Sequence, residues 1–204
     1  MVKKKLILTF FIFISCFLFA QKKKLNTFFT HSKITIDGSF DEPEWQKCDI
    51  AKDFIMYDPD NGKAEAPERK SEVRILYDNA SIYVAAMLYD SEPDKIMKEF
   101  VSRDEFGTAD HFGIFLNGYN DGQQEFRFFV SAAGVQEDVL YTLNTGEDTS
   151  WNAIWDSKVK ITDKGWQVEM KISYAVFCLK KKKDQLWRLN FYREVKRLRR
   201  LYTW

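Results

Sequence analysis

The sequence predicts an all-β fold, an antiparallel β-sandwich of two sheets with short helical turns. Apolar and polar residues alternate in short stretches, turn signals recur about every ten residues, and no helical periodicity lasts three turns. Aromatic residues, 16% of the chain, suit the core of a β-rich protein. At 204 residues and 45% hydrophobic content, the chain is expected to bury one core and form one domain.

The first 20 residues have the pattern of a secretory signal peptide. Three lysines precede an apolar run, and the small residue Ala20 precedes the expected cleavage point. The apolar run is too short to favour a spanning helix, and lipid attachment at Cys16 is the alternative. We therefore expect an exported protein, located in the periplasm, the outer membrane or outside the cell, with residues 21–32 as a linker.

The charge of the chain argues against a general nucleic-acid binder. Of 31 basic residues, three leave with the signal peptide, so 28 face 30 acidic residues and the net charge becomes −2. Proteins that bind the phosphate backbone without sequence preference need a clear excess of positive charge.

The first half of the chain is predicted to contain three strands, a helical turn and a loop. Residues 33–38 form a short strand, and the acidic stretch 39–45 that follows forms a helical turn. Residues 58–67 are a loop because Pro, Asn and Gly cluster there. Strands at 72–77 and 81–89 form a hairpin, and the second strand is expected to be central because both of its faces are apolar.

A hairpin of two alternating strands, 110–116 and 125–131, is expected at the centre of the chain. Residues 117–122 tolerate positive φ and can reverse the chain between these strands. One face of the pair is predicted to enter the core. The opposite face carries His111, Gly113, Phe115, Glu125, Arg127 and Phe129. A sheet face with aromatic and polar side chains suits a flat, partly apolar ligand such as a sugar ring.

The second half of the chain is predicted to add a strand, a loop, a second hairpin, a short helix and a last strand. In order, these elements are expected at 136–143, 144–155, 158–173, 174–179 and 186–192, with a solvated lysine run at 180–183. Together the strands predict a sandwich of the immunoglobulin-like or jelly-roll-like type.

Arg127 and Phe129 are the first candidates for a ligand site. The guanidinium group is a planar donor that suits sugar hydroxyls, and the ring beside it suits an apolar sugar face. The alternative is an ion pair between Arg127 and Glu125 without a role in binding. Trp151 and Trp155 are further candidates, because an aromatic ring in a loop can stack on a sugar. The alternative is that the loop that carries them plugs the core.

Metal binding and catalysis have less support. No EF-hand loop is present, but several acidic residues could supply oxygen ligands, so a structural calcium remains an open alternative. The oxygen ligands on offer are Asp110, Asp121, Glu137, Asp138, Glu147 and Asp148. Cys48 and Cys178 either form a disulfide or remain buried thiols, and zinc is not expected without a C-x-x-C spacing. No G-x-S-x-G motif is present and no pair of acids can be selected for glycoside hydrolysis, so intrinsic catalysis is not expected and a hydrolase is kept only as a third alternative.

Five segments, taken in order, resemble the family 9 carbohydrate-binding module. They are IDGSFDEPEW, EVRILYDNASIYVAAMLYD, ADHFGIFLNGYNDGQQEFRFFVSAAGVQED, DTSWNAIWDSKVKITDKGWQVEMKI and LWRLNFYREVKR. The resemblance runs from about residue 33 to the end of the chain. It is stronger to the version of the module at the N-terminus of large exported Bacteroidetes proteins, which continue into a barrel-like domain of unknown function.

The resemblance implies a β-sandwich that binds mono- or oligosaccharides and is associated, in carbohydrate catabolism, with hydrolases acting on O-glycosyl bonds. It also implies calcium in some members. Arg127 matches an arginine that contacts sugar in the family, and Gly113 stands at the position of a sugar-binding glutamate. Phe106 and Gly107 stand where the family has one clamp tryptophan, and the second clamp tryptophan has no match in this chain.

We therefore predict a module at 33–193 whose sugar site includes Arg127, Phe129, Phe106, Trp151 and Trp155. Residues 194–204 are expected to be a basic tail, the truncated start of a missing C-terminal domain. The expected partners are a saccharide and a barrel-like domain or outer-membrane protein, with no nucleic acid. The alternative function is a structural or docking domain that binds no sugar.

Overall fold

The structure is a computed structural model that describes residues 22–105, 107–177 and 186–204. The predicted signal peptide, Phe106, Cys178 and the lysine run at 180–183 lie outside the described residues. Within the described part of the chain, no helix is long and apolar enough to span a membrane.

Twelve strands and five short 3-10 turns make up the described fold. The strands are β1 (Phe28–Phe29), β2 (Ile55–Asp58), β3 (Ser71–Tyr77), β4 (Ser81–Tyr89), β5 (His111–Asn117), β6 (Gln124–Ser131), β7 (Gln136–Thr142), β8 (Gly146–Asp148), β9 (Trp155–Thr162), β10 (Gly165–Ser173), β11 (Arg188–Val195) and β12 (Arg200–Thr203). The 3-10 turns are Pro43–Lys47, Pro67–Arg69, Pro93–Lys95, Tyr174–Phe177 and Lys196–Leu198.

The strands form two sheets that pack face to face. The five-stranded sheet has the order β1-β3-β4-β10-β9, and the seven-stranded sheet has the order β2-β12-β11-β5-β6-β7-β8. Neighbouring strands run antiparallel, except β1 and β3, which run parallel. The inner faces meet in one core that includes Phe112, Ile114, Phe128, Val168 and Phe191. The predicted all-β sandwich with short helical turns is confirmed.

The predicted hairpins are present, and their alternation sets the register. In β4 every residue except Tyr89 is buried, because this strand lies between β3 and β10 with packed residues on both faces. β5 and β6 pair so that Ile114 lies opposite Phe128, which brings the apolar faces of both strands into the core.

Residues 33–38 are not a strand, although they were predicted to be one. Ile34 is buried and Ile36 partly buried, so the apolar alternation is real. The backbone N–H groups, however, bind carboxylates instead of a neighbouring strand. Thr35 donates to Glu42 at 2.9 Å, and Gly38 donates to Glu169 at 2.8 Å.

Both ends of the predicted module also differ from expectation. The expected linker at 21–32 contains β1, and the expected basic tail at 194–204 contains β12, which pairs with both β2 and β11. Tyr202 is completely buried, and the ring of Trp204 lies 5.6 Å from that of Phe191. The charges at 196–200 obscured this strand in the sequence, since the strand has four residues and only Leu201 and Tyr202 are apolar.

The two sheets differ in what lies over their outer faces. Residues 34–48, called here the N-terminal cover, pack on the outer face of the five-stranded sheet. There Trp45 and Ile34 join Leu76, Tyr83 and Ala85 in a second core. The outer face of the seven-stranded sheet instead carries the cluster of side chains described next.

Candidate functional site

Four strands of the seven-stranded sheet align their outward side chains in rows. One row runs across β11, β5, β6 and β7 through Tyr192, Gly113, Phe129 and Glu137. The next row runs through Asn190, Phe115, Arg127 and Val139. Because each side chain of a sheet face contacts its cross-strand neighbours, these two rows form one continuous surface.

An aromatic cluster occupies this surface, formed by His111, Phe115, Phe129 and Tyr192. The Phe129 ring meets Phe115 and Tyr192 edge to face, with ring centres 5.4 Å and 5.5 Å apart. His111 stacks on Tyr192 at 5.3 Å. His111 is buried, whereas the other three rings are partly exposed. The cluster therefore offers apolar ring surface to a ligand while its deepest member anchors it to the sheet.

Gly113 allows the Phe129 ring to lie against the backbone of β5. A methyl group at position 113 would lie 2.4 Å from Cδ1 of Phe129, far closer than two carbon atoms approach. The space that a side chain at 113 would fill is thus taken by the ring from the neighbouring strand.

Arg127 lies between two aromatic rings and two carboxylates. Its guanidinium carbon is 4.7 Å from the centre of the Phe115 ring and 4.4 Å from that of Tyr141. Nη2 donates to Glu125 at 2.9 Å, and Nη1 donates to Glu147 at 2.6 Å. The ion pair with Glu125 and the place beside Phe129 on a sheet face are therefore both present. Stacking and ion pairing fix the plane of the guanidinium group.

Glu137 lies directly across from Phe129 on β7. Burial, together with the nearby carboxylates of Asp104, Glu147 and Asp138, raises the pKa of this carboxyl to about 7. Among the described residues, no donor forms a hydrogen bond with its side chain. An unpaired acceptor across from an aromatic ring is suited to ligand hydroxyls.

Glu194 closes one end of the aromatic cluster. Its Oε2 accepts a hydrogen bond from the Tyr192 hydroxyl at 3.1 Å and lies 3.2 Å from Nε2 of His111. Burial lowers the pKa of His111 to about 4, although the charge of Glu194 opposes this shift. The histidine is therefore a neutral packing residue at physiological pH.

The chain matches the family model described as "Carbohydrate family 9 binding domain-like" over residues 36–192. The chain belongs to this family. No curated protein sequence matches it.

Solved structures of family 9 modules share the fold. A family 9 module from Caldicellulosiruptor kristjanssonii in complex with glucose matches with a TM-score of 0.60 at 17% identity, covering 87% of this chain and 84% of that one. The same match to a complex with cellotriose has a TM-score of 0.58 at 16% identity, covering 87% and 82%. A candidate carbohydrate-binding protein from Bacteroides uniformis ATCC 8492 matches with a TM-score of 0.54 at 13% identity, covering 75% and 77%.

In this family 9 module the predicted site residues fall into two groups. Arg127 and Phe129 lie next to each other on the outer face. Trp151 and Trp155 lie on the inner side of the same sheet, where Trp151 is 5.3 Å from Phe126 and Trp155 is 5.5 Å from Phe128. Their loop thus plugs the core, one of the two interpretations open from the sequence. Phe106 lies outside the described residues.

The surface also contains Phe115, Tyr141, Glu137 and Tyr192. From the sequence, Phe115 is assigned to the outer face without a role of its own, Glu137 is considered only as a calcium ligand, and neither tyrosine is a candidate. Alternation alone indicates that each points outward. Their position around Arg127 depends on which strands flank β5 and β6, and that pairing is set by the whole sheet.

The carboxylates proposed for calcium do not converge on one point, and all of them except Glu137 have other partners. No group of three or more His, Cys, Asp or Glu within the described ranges is arranged to hold a metal ion. Asp138 is fully buried and bound by Arg103 and by the backbone N–H of Ala153. Glu147 pairs with Arg127, and Asp148 binds Ser150. These donor sets do not fit calcium, which needs six or more oxygen ligands around one point.

Cys48 is a thiol in a polar backbone environment. Its Sγ lies 3.3 Å from the Ile75 carbonyl oxygen, and burial raises the pKa of the thiol to about 11. A protonated thiol of this kind is unreactive.

Proposed function

We propose that this family 9 module is exported and binds a mono- or oligosaccharide on the outer face of its seven-stranded sheet, in support of polysaccharide breakdown. The observation that carries the proposal is the combination of a partly exposed aromatic cluster with two polar groups, Arg127 and Glu137, on one continuous surface. The glucose and cellotriose complexes of other family members support it.

The chemistry of this surface matches the chemistry of a pyranose ring. The ring has an apolar face of C–H groups and an edge of hydroxyls that both donate and accept hydrogen bonds. Phe129 and its aromatic neighbours offer contact to the apolar face, Arg127 retains N–H donors beyond its ion pairs, and Glu137 supplies an acceptor. A few placed polar groups within apolar surface are typical of small-ligand sites.

A structural or docking domain that binds no sugar is the second candidate. The observation in its favour is that Arg127 already satisfies two carboxylates and stacks on two rings, so the cluster is stable without a ligand.

Titration calorimetry separates these two functions. We expect saturable heat when purified protein is titrated with mono- and oligosaccharides, with and without calcium. Arg127→Ala and Glu137→Gln are each expected to weaken binding about tenfold, since the first removes N–H donors and the second replaces one carboxyl oxygen with an amide donor. Arg74→Ala is the matched control, because Arg74 lies on the outer face of the other sheet with 12% of its side chain exposed, against 16% for Arg127.

A cooperatively folded protein that gives no heat with any sugar would overturn the binding function and favour the docking domain. Arg127→Ala would then change only the free energy of unfolding.

A further inference from the structure

A cleft of about 400 Å³ opens on the same side of the seven-stranded sheet as the aromatic cluster. Its walls come from the end of β2, from residues Met97, Gly107 and Thr108, and from the chain between the end of β11 and the start of β12. The volume falls within the range of about 300–1,000 Å³ that is common for small-ligand sites.

Glu194 joins this cleft to the aromatic cluster. Its carboxylate lines the cleft and contacts Tyr192 and His111 through Oε2, while Oε1 lies 2.9 Å from Nζ of Lys196. The aromatic cluster and the cleft thus share Glu194, which makes them adjacent parts of one surface.

Some charged residues of the cleft have ion-pair or hydrogen-bond partners and others have none. Lys196 pairs with Glu194, and Glu99, behind the Gly107 wall, accepts hydrogen bonds from Thr108. Within the part of the chain that the structure describes, the side chains of Arg199 and Arg200 have no ion pair or hydrogen bond. Asp58 is the acidic lining residue without a partner there. Two arginines and one carboxylate without a partner among the described residues thus line the cleft.

Arg199 also adopts a backbone conformation that its side chain disfavours. It caps the 3-10 turn at Lys196–Leu198 with φ 50° and ψ 47°, the left-handed region, and its N–H donates to the Lys196 carbonyl oxygen at 3.0 Å. Glycine or asparagine is the usual residue at such a cap. An arginine here gains nothing for the turn, so its side chain points to a role in the cleft.

We propose that the cleft binds the anionic group of an acidic sugar unit, either the carboxylate of a uronate or the sulfate of a sulfated sugar, through Arg199 and Arg200. This inference rests on the proposed sugar-binding function and names its ligand class. Guanidinium groups suit both anions because their N–H fork matches two oxygens of a carboxylate or a sulfate.

The test is titration calorimetry of the purified protein with glucose, glucuronate and glucose 6-sulfate at one ionic strength. These ligands share a ring and differ in the group at carbon 6. We expect at least one anionic ligand to bind about tenfold more tightly than glucose. The comparison between glucuronate and the sulfate ester then shows which anion the cleft prefers.

Two variants assign the effect to the cleft. Arg199→Gly is expected to reduce the preference for the anionic ligand about tenfold while melting no lower than the parent protein, because glycine accepts the left-handed conformation. Arg200→Gln is expected to cause a similar loss. Arg188→Gln is the control, since Arg188 is an exposed arginine near the other end of β11 on the same outer face, where it binds Asn120 at 2.9 Å. This control should keep the preference.

Equal affinities for glucose and both anionic ligands would overturn the anionic assignment and leave sugar binding intact. So would a preference that survives in the Arg199→Gly, Arg200→Gln double variant. A folded protein that binds none of these ligands and no cello-oligosaccharide would overturn the proposed function itself, so the two failures are distinguishable.

Discussion

Glu169 is a fully buried carboxyl group on β10, under the N-terminal cover. Its Oε2 accepts hydrogen bonds from the backbone N–H groups of Asp37 and Gly38 at 2.9 Å and 2.8 Å. Its Oε1 has no partner among the described residues. Burial is the main effect and raises the pKa of Glu169 to about 7, assisted by the carboxylates of Glu42 and Asp37, while the two N–H groups oppose the shift.

The raised pKa predicts a pH-dependent stability. The folded protein holds the Glu169 proton more tightly than the unfolded chain, so this stabilisation is complete below about pH 4.5 and is lost as the pH rises through about 7. Between pH 5 and pH 8 the free energy of unfolding should fall by about 2 kcal/mol more in the parent than in Glu169→Gln. Urea unfolding at both pH values measures this difference.

Glu68→Gln, an exposed substitution on the Pro67–Arg69 turn, is the control and should leave the pH profile unchanged. A Glu169→Gln profile parallel to that of the parent would show that the carboxyl group does not titrate in this range.

The contact between Gly113 and Phe129 predicts a steric coupling. Gly113→Ala should lower the free energy of unfolding by about 1–3 kcal/mol, because the new methyl group overlaps Cδ1 of Phe129. In a Phe129→Ala background the same substitution should cost much less. A double-mutant cycle measured by chemical denaturation gives the coupling directly, and additive free energies would contradict the close approach.

Residues that share a strand were predictable from the sequence, and residues that meet across strands were not. Alternation placed Arg127 and Phe129 on one face of β6. The cross-strand partners Glu137 and Tyr192 arrive from β7 and β11, whose pairing depends on the packing of the whole sheet. Likewise, Trp151 and Trp155 lie in or next to a loop, where no periodicity indicates a direction.

At the level of elements, strands flanked by turns were predictable because alternation, β-propensity and turn chemistry agree in them. Residues 33–38 have strand-like alternation without a ladder, since carboxylates from Glu42 and Glu169 satisfy their N–H groups. β12 is the reverse case: it pairs with two strands, but its sequence lacks a clear strand pattern because it follows a run of charges.

Because β12 is part of the sheet, truncating its buried residue Tyr202 should greatly lower the free energy of unfolding. Tyr202→Ala should lower the free energy of unfolding by about 3–5 kcal/mol, because the ring is fully buried beside β11. Thr203→Ala, at the neighbouring, partly exposed position, should cost less than about 1 kcal/mol. Guanidinium denaturation of both variants tests the assignment. Equal small effects would restore the interpretation of residues 194–204 as a tail.

At the scale of the whole molecule, Arg193 joins the two sheets. It is buried on β11 in the seven-stranded sheet, and it donates to backbone carbonyl oxygens at or near strands of the other sheet. Nη1 donates to Arg69 at 2.6 Å and to Lys70 at 3.1 Å, and Nη2 donates to Tyr89 at 2.7 Å. The charge is offset by more distant carboxylates, those of Glu65, Asp90 and Asp110.

The hydrogen bonds of Arg193 between the sheets predict that its removal destabilises the whole molecule. Arg193→Ala should lower the free energy of unfolding by about 3 kcal/mol or more, since buried carbonyl groups lose their donor and buried carboxylates lose their counter-charge. Tryptophan fluorescence and far-UV circular dichroism should still report one coincident transition. Arg188→Ala is the exposed control. Separate transitions for the two probes would show that the sheets unfold independently.

The unequal covering of the two sheets limits the number of polymer chains that one molecule can bind. The N-terminal cover occupies one outer face, so the surface proposed for sugar lies on one side of the molecule only. With its sugar site on this face, as proposed, one molecule would engage one polysaccharide chain and would not bridge two. Added to a soluble polysaccharide, the module should bind the polymer without cross-linking or precipitating it, whereas a tandem fusion of two copies should form a gel.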